Sequence, residues 1–186
     1  MRLPPGRRRP RTSISAAWTC RSATLASPTA PPFADLTNDA LVRSIEAIQG
    51  AFFRLTVAAL PHPRSSGAGR VVAVFSFVAH TFRPGLPTFP ASAAAKAGQE
   101  ALVRALAEEP GPAGVTVNAV APGFIRKNEG AHRAIGAGTL ASRTAHIPLG
   151  CVGMPREVAA VVAFLASGAA SYVTGQFLHV GGALVI

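Results

Sequence analysis

The residues able to do chemistry concentrate in the run Ser92-Ala-Ala-Ala-Lys96 and in the segment leading to it. Four positions separate the Ser92 hydroxyl from the Lys96 ammonium, about one turn of a helix. A cation beside a hydroxyl lowers its pKa and prepares it for acid/base work. A phenol suits that chemistry, and an alkyl hydroxyl is a far weaker acid. The chain has one tyrosine, Tyr172, and it lies far downstream. A second hydroxyl, Ser76, closes the apolar run Val71-Val-Ala-Val-Phe75. The five histidines, at 62, 80, 132, 146 and 179, share no ligand spacing, and Cys20 and Cys151 stand far apart. No metal site is expected, and the cysteine usage points weakly to a reducing compartment.

These side chains need elements to hold them. Leu41, Ile45, Ile48, Phe52, Leu55 and Ala59 recur at three- and four-residue steps, which predicts a helix over 36–60. Thr37 is its N-cap, Asp39 suits its positive end, and Pro61 and Pro63 stop it. Arg64 to Gly69 reads as a loop. Val71–Phe75 has the continuous apolar character of a parallel strand buried on both faces. A helix over 92–109 follows, with Ser92 as its N-cap, and it ends before Pro110. Val115–Val120 is the next strand, 124–150 a mobile segment, and Pro155 opens a helix through Leu165. Gln176–Val180 is the last strand. Strand, helix, strand, helix, strand predicts an α/β fold around a parallel sheet.

The composition limits the class of function. A chain of 186 residues that is 49% hydrophobic can bury a core in one domain. No apolar run reaches the roughly 18 residues needed to span a bilayer. The net charge of +10 is uneven: residues 1–34 hold six arginines and no acid, and the other 152 hold 12 bases and 8 acids. Residues 1–34 therefore read as a disordered basic segment, and residues 35–186 as the folded domain. The Arg- and Ser-bearing, acid-free composition of 1–34 also matches a transit peptide. Arg7-Arg8-Arg9 has no long apolar segment after it, and a solvated tail is the reading adopted. A nucleic-acid role ranks last, because no aromatic residues interleave the bases.

Several motifs stand in a familiar order. Gly69-Arg-Val-Val-Ala-Val-Phe-Ser76 is followed by Lys96 with Glu100-Ala-Leu-Val-Arg-Ala-Leu-Ala. Val117-Asn118-Ala-Val-Ala-Pro122-Gly123, Pro148-Leu-Gly-Cys-Val-Gly-Met-Pro155, Ser171-Tyr-Val-Thr-Gly175 and Gly181-Gly182 come after. Over roughly 35–182 the chain resembles the short-chain dehydrogenase/reductase family. The resemblance implies a Rossmann-like parallel sheet with helices on both faces. It also implies NAD(P)-dependent reduction of a carbonyl or enoyl substrate. Ser76, Lys96 and Ser92 occupy the catalytic region, and Lys96, Pro122, Gly123 and Ile125 the nicotinamide side of the cofactor site.

The departures from that pattern are as informative as the matches. Anchored on Lys96, the general acid's position holds Ser92. Counted 13 residues from Ser76 it is Phe89, with Ala93 in place of the lysine. In the register of the 2,4-dienoyl-CoA reductase branch it is Thr81. The resemblance implies an asparagine on the earlier helix that holds a proton-relay water; asparagine occurs only at 38, 118 and 128, so it is absent and Ala47 stands in its place. No strand–glycine turn–helix unit is present to cradle a pyrophosphate. The expectation is a domain lacking its first three strands, entering near the end of the fourth at Thr24–Pro28. Truncation, a frameshift and a misplaced start each account for that.

The resemblance thus implies a cytoplasmic oxidoreductase by lineage, impaired or inactive as an isolated chain. The alternative is a non-catalytic relative that associates with a further copy or an intact subunit. The plainer readings stand beside these. Ser76 is also a turn serine, Lys96 a solvated helix residue, Asn118 a brace for loop backbone, and Tyr172 a packing residue near a subunit contact.

Overall fold

The computed structural model describes residues 17–21, 32–66, 68–86, 88–126 and 142–185. Four strands run in the order β1-β2-β3-β4: Ala17–Arg21, Arg70–Val74, Thr116–Pro122 and Phe177–Val180. Every neighbouring pair is parallel, with Ala17 opposite Arg70, Arg70 opposite Thr116 and Ala119 opposite Phe177. The central strands are apolar on both faces, as burial from two sides requires.

Helices cover both faces. On one, α2 (Ala51–Ala59) and α4 (Pro90–Glu108) bury Phe52, Val103 and Ala107 against Val71, Ala73, Phe75, Val117, Ala119 and Ala121. On the other, α5 (Pro155–Ala166) lays Val158, Val161, Val162 and Leu165 on Val72, Val120 and Leu178. Pro155 sits at its first position, and the Glu157 carboxylate accepts from the Met154 N–H at 2.6 Å. Beyond the strands' carboxyl ends Phe77, Leu86, Ile147 and Leu184 form a further apolar cluster. At the opposite end, the buried Arg70 guanidinium donates to the carbonyls of Ala68, Gly69, Gly114 and Ser167. Its desolvation lowers the arginine pKa from the usual value. No helix of the described residues is long and apolar enough to cross a membrane.

The α/β parallel sheet with two helical layers is as expected, and four details differ. Residues Ala17–Arg21 form a strand, where the composition of 1–34 predicts a disordered segment. An isolated five-residue strand flanked by Pro- and Arg-rich sequence offers no period to detect. Residues 1–16 and 22–31, including Thr24–Pro28, lie outside the described residues, as does most of the expected mobile segment, 127–141.

Next, the helix predicted over 36–60 is broken by a π turn at Glu46–Gly50, between α1 (Asn38–Ile45) and α2. Thr37 does cap it, accepting from the Ala40 N–H at 3.3 Å. The wider turn rotates the buried face by one position. Ile48, Phe52 and Thr56 point inward, and Leu55 is left exposed. Third, Pro61 and Pro63 begin a new short helix, α3 (Pro61–Ser66), instead of leading into a loop. Finally, α4 starts at Pro90, two residues before Ser92. Proline at a helix's first position lacks only an N–H that would have no helical partner there. Ser92 therefore lies inside the helix. Phe89 takes the cap position without a side-chain hydrogen bond.

Candidate active site

The strands' carboxyl ends gather the expected site residues on three elements. Ser76 follows β2 by two residues, half-buried, and its Oγ accepts from the Val78 N–H at 3.5 Å. It caps the short 3-10 turn Phe77–Ala79, and α4 packs against that turn. Pro122 ends β3, and the Gly123 N–H donates to the Val180 carbonyl at 2.9 Å. Ile125 forms a parallel bridge with Gly153. A Cβ on Gly123 would stand 2.7 Å from the Gly181 Cα, so the two glycines let β3 and β4 close backbone to backbone.

Lys96 departs from the solvated reading: it is 1% exposed. The alanines around it bring α4 close to the sheet, and the lysine stem runs into that contact. Its Nζ lies 5.5 Å from the centre of the Phe75 ring, in the geometry of a cation–π pair. It also donates to Gln99 Oε1 at 3.4 Å. Gln99 is fully buried and its Nε2 has no hydrogen-bond partner. Phe75 immediately precedes Ser76, so the lysine helix and the serine strand meet through that ring.

None of the three candidate positions supplies an acid. Ser92 is half-buried in α4's first turns, and Phe89 carries no acidic group. Thr81 is buried, and its hydroxyl has no partner. Tyr172 is 95% exposed, so it does not pack against the described residues of the chain. A side chain that open cannot touch one as buried as Lys96. Asn118 behaves as a brace: its Nδ2 donates to the Val173 carbonyl at 2.8 Å, and its Oδ1 accepts from the Gln176 N–H at 3.1 Å.

The resemblance implies a lysine ammonium reaching the cofactor ribose and backbone amides at a helix N-terminus meeting its pyrophosphate. Here the Lys96 ammonium is enclosed by Phe75 and Gln99, and no strand–glycine turn–helix occurs among the described residues. The described residues do not fit that group. Among them no cluster of three or more His, Cys, Asp or Glu side chains could hold a metal ion. Sequence reasoning missed Gln99, whose importance comes from a three-residue helical step to a buried lysine. It also missed the pairing of His80 with Glu100, which no spacing announces.

A family model described as Enoyl-(Acyl carrier protein) reductase matches residues 18–183. The chain belongs to the short-chain dehydrogenase/reductase family. It is 42% identical over 124 residues to the 3-oxoacyl-[acyl-carrier-protein] reductase FabG of Rickettsia felis, covering 63% of this chain and 47% of that protein. Against the FabG of Vibrio cholerae it is 40% identical over 134 residues, covering 72% and 53%. The chain thus spans about half the length of these curated relatives.

Solved structures agree on the architecture of this family member. A protein titled "Dehalogenation enzyme" superposes with a TM-score of 0.80 at 29% identity, covering 91% of this chain and 68% of its own. The TT0495 protein from Thermus thermophilus gives 0.74 at 32%, covering 84% and 65%. A gluconate 5-dehydrogenase from Burkholderia cenocepacia, in complex with NADP and tartrate, gives 0.77 at 23%, covering 89% and 64%, a likeness of fold.

Proposed function

We propose that this chain is a short-chain dehydrogenase/reductase scaffold that has lost its proton-transfer chemistry. By lineage it is an NAD(P)-dependent oxidoreductase of carbonyl or enoyl substrates. As an isolated chain it neither binds the nicotinamide cofactor nor turns such substrates over. The carrying observation is the contrast between Lys96, 1% exposed, and the sole tyrosine, Tyr172, 95% exposed. A general acid must reach the reacting atom and have a suitable pKa. The three positions that the family pattern offers for that acid, Ser92, Phe89 and Thr81, hold two alcohols and a phenyl ring.

Its remaining role is association, with a further copy or with an intact relative. Phe53 and Val57 support this: they lie about one turn apart on the same side of α2, and each is more than half exposed. An exposed apolar pair of this kind gains from burial against another chain. The exposed thiol of Cys151 fits a reducing compartment such as the cytoplasm. The reading is tested by titrating the protein with NADH and NADPH while following nicotinamide fluorescence. No saturable change is expected. Micromolar binding with turnover of a 3-oxoacyl or enoyl thioester would instead establish a residual reductase working with Ser76 and Lys96.

A further inference from the structure

Outside the residues just described, three titratable side chains meet across separate elements. His80 ends the 3-10 turn that Ser76 opens. Glu100 lies on α4, one helical turn beyond Lys96, and His179 lies in β4. His80 Nε2 is 3.1 Å from Glu100 Oε2. The contact lies off the ring's N–H direction, because that nitrogen makes no directed hydrogen bond. It is a charge pair, present when His80 is protonated. The His179 ring meets His80 edge-on, with centroids 4.9 Å apart, and the Phe177 ring lies 5.7 Å from His80. Arg104 on α4 already holds the other oxygen of Glu100.

The charges limit this group to one extra proton. Glu100 and Arg104 cancel, so one protonated imidazole gives +1 and two give +2, with His80 and Glu100 half-buried and His179 on the exposed side of the group. Burial, then the charge of His80, push the His179 pKa below its usual value, against a smaller opposite pull from Glu100. A histidine with a depressed folded pKa favours the fold above its unfolded pKa. That contribution is lost as pH falls through the folded value.

We propose that His80, Glu100 and His179 form an acid-sensitive clasp fastening the Ser76–Thr81 segment to α4 and β4. With at most one proton the imidazoles pack edge-on without repulsion, and a proton on His80 pairs it with Glu100. With two, the imidazoles repel and the segment comes away from the last strand. The His80 backbone N–H donates to the Phe77 carbonyl at 2.9 Å, which makes that amide the reporter.

Hydrogen exchange on the full chain tests the clasp. Between about pH 7.5 and pH 5, protection at residues 77–81, corrected for intrinsic rates, is expected to fall about tenfold or more. In His179→Gln the acid loss should disappear, with amides of the central strands as the control for folding. Equal protection at both pH values, or the same acid loss in His179→Gln, overturns the proposal. Should that variant not fold, NMR titration of the native imidazoles decides. The His179 imidazole should titrate below the usual histidine value, and lower still in Glu100→Gln. A His179 titration at the usual value, or one unmoved by Glu100→Gln, overturns it equally.

Discussion

Replacing Asn118 by alanine should loosen the joint between the last two strands. The carboxamide is fully buried and carries two bonds, from Nδ2 to the Val173 carbonyl and from the Gln176 N–H to Oδ1. Each bond contributes about 1 kcal/mol net, and each buried group left unpaired costs about 1–3 kcal/mol. The turn bearing these backbone groups is partly open to water, so the lower end of that range applies. We expect a loss of about 2–3 kcal/mol, equivalent to about 5–10 °C in Tm for a chain of this size. Urea unfolding followed by circular dichroism and by fluorescence measures it.

Asn118→Asp sharpens the test. A carboxylate still accepts from Gln176 but faces the Val173 carbonyl with no proton to give. At neutral pH it should be at least as damaging as alanine. Burial raises the folded pKa of such an acid above about 3.9. A group with a raised folded pKa favours the fold below its unfolded pKa, and that contribution is lost as pH rises through the folded value. Asn118→Asp should therefore recover stability relative to Asn118→Ala on acidification, once the carboxyl can donate. A Tm change under about 2 °C for Asn118→Ala, or no acid recovery for Asn118→Asp, would refute the bracing argument.

Two further substitutions probe the neighbouring geometry. Gly123→Ala would set a Cβ 2.7 Å from the backbone of Gly181. Because backbone must give way, thermal unfolding should show a loss of about 1–3 kcal/mol. Thr81→Val removes a buried hydroxyl that has no partner. It should raise stability by about 1 kcal/mol in chemical denaturation, and a loss would show that the hydroxyl is used.

Much of the sheet was legible because β2, β3 and α5 each carry a local signal. Val71–Val74 is a continuous apolar run, Val117–Val120 is apolar but for Asn118, and Pro155 marks its helix start. Asn118 was legible as a brace, since a lone carboxamide inside such a run must satisfy its polar atoms internally. The failures share a cause in tertiary packing. Nothing local announces the π turn that moves burial from Leu55 to Thr56, or a strand as short as Ala17–Arg21. Lys96 on an alanine-rich helix reads as solvated until the helix is seen pressed on the sheet. The alanines that allow that approach are the same residues that suggest an exposed face. Ser92 is not the cap its residue type suggests, because Pro90 is a starting residue in its own right.

On the proposed reading, a reductase fold persists here without a working proton donor or an available lysine. Incubating the full chain with NADPH and a 3-oxoacyl thioester, while following the absorbance of the reduced nicotinamide, tests it most directly. The prediction is a rate equal to that of the protein-free control. A rate that scales with protein concentration and vanishes in Lys96→Met would contradict it.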